Sequence, residues 1–270
     1  ISTDPGRRAG NVVKLTSDDI SILPFKFIQL MEFSITKRIN CHGQLYMKGV
    51  VGSEDHDQYL QSSVYGLNVT VVQLKEDANE TLFNGIIEKV AMHQDGELFI
   101  MEVFAVTHTY HIDIKRKSRS FQNNAMTYSE LIHSVVSGYD KGNSIVTTEE
   151  KKLSNFVIQY NETDWQFLKR MASHFHQGLY PSFDMDGPKF YFGVPQTMNR
   201  YEIDIMNYRA FKDIGTAQSL KANSIEGIEE SDFNYFEVMS YDIIPLGAPV
   251  YFHERLLYVR EAKTELIKGE

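Results

Sequence analysis

Between Phe156 and Phe175 the chain reads FVIQYNETDWQFLKRMASHF, a strand, a helix start and an amphipathic helix in unbroken succession. Phe156 to Tyr160 is short, apolar and aromatic, which predicts a buried strand. Asn161-Glu162-Thr163-Asp164 breaks that pattern. Thr163 with Gln166 three residues later predicts a capping box, in which each side chain satisfies a backbone N–H left free at a helix start. Asp164 in the first turn interacts favourably with the helix dipole. Trp165, Leu168, Met171, Ala172 and Phe175 then recur at helical spacing as one apolar stripe. Trp165 is the only tryptophan in the chain, and its place in that stripe predicts a core anchor.

The length of 270 residues suits one large or two modest domains with a real core. No segment approaches eighteen consecutive apolar residues, so no membrane-spanning helix is predicted. The opening ISTDPGRRAGN lacks both an initiator Met and the apolar core of a signal peptide. The single cysteine, Cys41, allows no intrachain disulfide and no cysteine-based zinc cluster within one subunit. Its position at the end of a strand-like run predicts a buried or half-buried thiol. The sequons at Asn68, Asn79 and Asn161 read as chance matches. A net charge of −9 argues against nucleic-acid binding, which needs clustered Lys and Arg. The one basic cluster, Lys115-Arg116-Lys117 with Arg119, is short and serves equally as a solvated linker or a patch.

The first third reads as β. Phe25, Phe27, Met31, Phe33 and Ile35 alternate with polar residues, and Gln44 to Val51 and Asn68 to Leu74 continue the set. Asp55 to Leu60 reads as a loop with one helical turn. Leu82 to Gln94 and Glu97 to His111 form a predicted hairpin turning at Asp95-Gly96, where both positions tolerate positive φ. Lys115 to Asn124 reads as a polar connector. Thr127 and Glu130 predict a second capping box before a short helix through Leu131, Ile132, Val135 and Val136, ending at Gly138. Asp140 to Glu150 reads as a loop. In the last third, Leu179 to Phe183 and Lys189 to Val194 flank a turn at Asp186-Gly187-Pro188. Asn199 to Gly227 is polar and of undefined structure, and Asn234 to Ile244, Pro249 to His253 and Arg255 to Thr264 read as strands. The β units on either side of the helical segment suggest a structural duplication.

No fragment carries recognisable catalytic chemistry. Asp184-Met185-Asp186-Gly187 opens like a calcium loop but lacks the later ligands and the bidentate Glu, and reads as a hairpin turn. His174 and His176, two apart at a helix end, point to different faces. His108 and His111, three apart in a predicted strand, face opposite sides. There is no Gly-x-Ser-x-Gly elbow, phosphate-binding glycine loop or His-Glu-x-x-His. No metal or cofactor is expected, and no carboxylate pair is singled out for glycoside cleavage.

The run from SRSFQN through MTYSELI to IQYNETDWQFLKRMAS resembles the N-terminal hub module of VgrG-type spike proteins, late-control-D proteins and baseplate hubs of contractile phage tails. The fold this resemblance implies is mainly β with α+β insertions: two tail-tube-like β-barrels, at residues 1–113 and 179–270, bridged by a small helical α+β region at 114–178. It implies a non-enzymatic homotrimer in which two barrels per subunit make a pseudo-sixfold ring, docked between a hexameric tail tube protein and a threefold central spike protein, among other baseplate proteins. It implies assembly in the bacterial cytoplasm into a phage tail, tailocin or injection particle, with no specific nucleic-acid partner. By the same resemblance, Arg119 and Phe121 sit at the entry to the helical region. Gln159, Tyr160, Glu162, Asp164, Trp165 and Arg170 hold the strand–helix junction, in structural roles. The acidic balance fits a channel that cargo passes without sticking. Longer relatives continue, where this sequence ends at Glu270, into an oligosaccharide-binding-fold neck and a β-helical needle, so the spike is expected as a separate protein or a further C-terminal part. The alternative is a tail-associated peptidoglycan hydrolase, or the hub part of a longer hub–hydrolase.

Overall fold

A computed structural model describes residues 19–54, 59, 66–75, 78–196, 199–203, 206–222, 233–240 and 242–266. The expected opening segment and, apart from Tyr59, the expected loop at Asp55 to Leu60 lie outside the described residues. The first six strands are β1 (Ile20–Leu23), β2 (Gln29–Arg38), β3 (Gln44–Val51), β4 (Asn68–Gln73), β5 (Glu80–Asp95) and β6 (Leu98–Thr107). With β17 (Glu261–Glu265) they form a curled, half-barrel sheet of seven strands in the order β1-β4-β5-β6-β3-β2-β17. β17 pairs antiparallel with β2, and Arg38 grips Glu261 with two hydrogen bonds of 2.9 and 2.6 Å, so this sheet draws on both ends of the chain.

Alternation builds the sheet as its sequence predicts. Phe33, Ile35, Leu45, Met47, Val69, Val71, Phe83, Met101 and Val103 point inward as one core, while Tyr46, Lys48, Glu102 and Phe104 are only half-buried. Two-residue periodicity does this because successive Cβ atoms leave opposite faces of a strand. The alternation fails at Met31, which is 41% exposed, because β2 has a bulge between Leu30 and Glu32. The β5–β6 turn is one residue later than expected. Asp95 pairs with Leu98, so Gly96 and Glu97 form the turn, with Gly96 at φ +60°. Glycine leads because positive φ is required at the first turn position.

β6 ends at Thr107, and the chain enters a 3-10 turn, His108–Asp113. This corrects the predicted strand to His111: the two histidine rings stack on one another, 6.0 Å apart. Next come β7 (Arg116–Phe121), α1 (Tyr128–Val136), β8 (Asn143–Val146), β9 (Val157–Thr163) and α2 (Asp164–Ser173). The polar connector is therefore a strand paired with β9, and the expected loop at Asp140 to Glu150 contains β8. β9 is half-buried rather than buried and runs through Asn161 and Glu162, with Phe156 and Tyr160 exposed at 53% and 77%. Both capping boxes form, from Thr127 with Glu130 and from Thr163 with Gln166.

β10 (Leu179–Pro181) and β11 (Lys189–Phe192) make the expected hairpin, and β8 joins it in parallel. A second core gathers Leu131, Val135, Trp165, Phe167, Leu168, Met171, Phe190 and Phe192. Tyr180 and Phe183 of the same hairpin belong to the first core, so the hairpin ties the two together. The rest comprises β12 (Tyr201–Glu202), β13 (Tyr208–Lys212), α3 (Ile214–Ala222), β14 (Asn234–Val238), β15 (Pro249–Phe252) and β16 (Arg255–Tyr258). These strands form two small sheets, β12-β15-β16 and β13-β14. The single run expected from Arg255 to Thr264 is two strands in two different sheets.

Candidate assembly site at the strand–helix junction

The first residue of α2 is the centre of the junction. Asp164 is fully buried, and its carboxylate accepts four hydrogen bonds: from Lys117 Nζ at 2.7 Å, Arg119 Nη2 at 2.6 Å, Tyr139 Oη at 2.6 Å and Gln159 Nε2 at 2.9 Å. Lys117 and Arg119 reach it together because β7 alternates, turning Lys117, Arg119 and Phe121 inward and Arg116, Ser118 and Ser120 outward. Arg119 Nε also donates to Gln159 Oε1 at 2.7 Å, so Gln159 is oriented between the guanidinium and the carboxylate. Burial pushes the Asp164 carboxyl up, but the hydrogen bonds from Lys117, Tyr139 and Gln159 and the charge of Arg119 outweigh it and hold the group below the usual carboxylate range. Tyr139 is pushed well above the ordinary phenol range by burial and by its bond to Asp164.

A second grip lies nearly two turns along α2. Arg170 binds Glu162 through two bonds of 3.0 and 2.8 Å and donates to the Ile158 carbonyl at 2.6 Å, fastening α2 to β9. Such a fork-to-carboxylate pair adds geometric specificity as well as energy. Phe121 stacks on Phe167 with ring centroids 5.6 Å apart. Trp165, 1% exposed, donates Nε1 to the Asn40 carbonyl at 3.2 Å, which carries α2 to the first sheet.

Of the residues singled out by sequence, Arg119, Gln159 and Asp164 meet in one network, Glu162 and Arg170 in another, and Phe121 and Trp165 pack beside them. Tyr160 projects away, and is a surface residue. Sequence reading missed Lys117, Tyr139, Asn40, His42 and Asp113. The first was legible in principle, since Lys117 and Arg119 share one face of any strand through the connector. His42 bonds Thr109 at 2.9 Å and Asp113 at 3.1 Å, and Asp113 in turn accepts from the Thr163 hydroxyl at the start of α2. Burial lowers the His42 pKa, against the opposing pull of Asp113. Asn40 accepts from Leu179 N–H and its own N–H donates to the Leu179 carbonyl, at 2.8 and 2.9 Å. These contacts join loops distant in sequence, which no local pattern announces.

Cys41, next to Asn40, is exposed, contrary to expectation, because it lies beyond the end of β2 in the turn leading to β3. The expected hairpin reading of Asp184 to Gly187 holds: Asp186 pairs with Lys141 and lies 3.6 Å from His108, and Gly187 has φ +79°. Among the described residues no cluster of three or more His, Cys, Asp or Glu could hold a metal.

The network lies inside a longer match: residues 33–190 fit the model of the phage tail baseplate hub (GPD) family. The chain belongs to that family. Most of both cores and the whole junction between them fall within the matched residues, making this a baseplate hub protein of the phage-tail type. Among solved structures, the hub is similar to the c3393 protein of E. coli, a type VI secretion system component described as structurally similar to the T4 bacteriophage tail proteins gp27 and gp5. That match has TM-score 0.62 and 11% identity, over 92% of this chain and 73% of the other. The 43 kDa tail protein of prophage MuSo2 from Shewanella oneidensis matches at TM-score 0.50 and 14% identity, and a tail protein of Neisseria meningitidis at 0.50 and 12%. The hub covers 62% and 60% of the lengths of these two proteins, each over 72% of its own. At these identities the likeness is one of fold. No curated protein sequence matches the chain.

Proposed function

We propose that this hub is an adaptor, a homotrimer that joins a hexameric tail tube to a threefold central spike among the other baseplate proteins, assembled in the bacterial cytoplasm and carried in the finished particle. The observation that carries this reading is the extent of the family match, which takes in most of β2, all of β3 to β6, both helices of the second core and the Asp164 junction. An adaptor between two symmetries needs its parts held at fixed angles. The junction supports that requirement: α2 is bonded to β7, to β9 and, through Trp165 and Thr163, to the loops that leave the first sheet. Arg119, Phe121, Gln159, Glu162, Asp164, Trp165 and Arg170 then act by holding geometry, not by chemistry. The half-exposed face of the large sheet, with Lys48 and Glu102 3.1 Å apart beside Tyr46 and Phe104, is polar enough to face water or cargo.

Electron microscopy of particles made without this chain tests the reading. Tubes lacking a spike, or free spikes and no tails, are the expected result, restored by supplying the chain in trans. Intact tails carrying a spike in its absence would overturn it.

A further inference from the structure

The large sheet is unevenly paired. β4 runs beside β5 only from Glu80 to Ile86, whereas β6 accompanies β5 as far as Asp95. Among the described residues, no strand pairs with the outer edge of β5 from Lys89 to Asp95. An unpaired edge is a template for another strand unless it is short, charged, bulged or closed by proline. Two other edges of this sheet have such protection. β1 has four residues and runs into Pro24, and β17 turns Glu261, Lys263 and Glu265 outward. Between Val90 and Gln94, β5 carries no Asp, Glu, Lys, Arg or Pro, and Val90, Ala91 and Met92 are half-buried.

β13 shows the matching deficiency. All five of its residues are exposed, and among the described residues it pairs only with β14. A two-stranded ribbon is marginal in water without a third strand or a covering layer; Tyr208 and Phe236 pack on Phe252, but the far edge of β13 has no third strand among the described residues. Charge is complementary as well. β13 carries Lys212 and Arg209, the latter paired with Glu237 at 3.6 Å, while the open half of β5 has Lys89 and Asp95 at its ends, with Glu88 in the bulge before it and Glu97 in the turn, so that acids outnumber bases there. Within one copy the two strands do not pair, and among the described residues neither edge has another strand beside it.

We propose that β13 of one copy adds as a strand to the outer edge of β5, at Val90 to Gln94, of a second copy. The contact joins two different surfaces, so repetition closes a ring if the rotation permits. Closure at three copies rests on the adaptor reading above; the pairing itself does not.

The test uses the full chain in a Cys41→Ser background, which removes the exposed native thiol. Ala91→Cys and Ala210→Cys are placed in separately tagged copies and co-expressed. Oxidation is expected to link one tag to the other, and to link neither variant to itself. In parallel, Ala91→Lys, which sets a cation against the basic strand, is expected to reduce the native mass to that of one copy, and Ala210→Glu in the same chain to restore it. Unchanged circular dichroism shows that Ala91→Lys still folds; if it does not, the cross-link decides. A trimer that survives Ala91→Lys and gives no cross-link between the tags overturns the pairing and leaves the adaptor reading standing. A wild-type chain that is monomeric at every concentration also overturns the pairing, while the adaptor reading then stands or falls on the microscopy of tails lacking the chain.

Discussion

Asp164 is where one substitution reports most. Asp164→Asn keeps the shape but removes the charge that Lys117 and Arg119 share. Loss of one partner from a buried ion pair costs about 3–5 kcal/mol, and the lower end applies because both cations keep some contact with water. Equilibrium unfolding in urea checks this. Trp165→Ala leaves a cavity between α2 and Phe190 and should cost roughly 3–5 kcal/mol by the same measurement. The Trp165 anchor was legible from its apolar stripe. The role of Asp164 was legible only as a cap-turn acid, because the four groups that hold it come from β7, β9 and the segment after α1, and only the fold brings them together.

Among the elements, α2 was the most legible, since its capping box, its stripe and its terminus are all local. Thr163→Ala removes the cap and the bond to Asp113, and should destabilise by about 1–2 kcal/mol, seen as a lower urea midpoint with an unchanged slope. β7 was hidden because a short strand of Arg, Lys and Ser looks like a solvated connector. Its inward charges are tolerated only because the Asp164 carboxylate waits on the other side. β8 was hidden for a related reason: its parallel partner, β11, lies 46 residues on, Lys189 against Asn143, and parallel pairing leaves no hairpin signal. The half-barrel sheet was legible from alternation, except where the Leu30–Glu32 bulge shifts the register.

For the whole molecule, acid should loosen the fold in two stages. His42, His108 and His174 have pKa values lowered by burial, so their neutral forms contribute stability that is complete above about pH 6.5 and is lost as pH falls through the lowered values. Asp164 is depressed too; its contribution is complete above about pH 4 and is lost as pH falls further through its folded value. Urea midpoints measured from pH 8 to pH 2 should fall in both windows, and Asp164→Asn should flatten only the second. The central claim, that this chain is the threefold adaptor of a tail, is tested most directly by native mass from light scattering after size exclusion. The account predicts a species at three times 31.1 kDa. A chain that stays a monomer or dimer at every concentration, alone and with its tube and spike proteins, would contradict it.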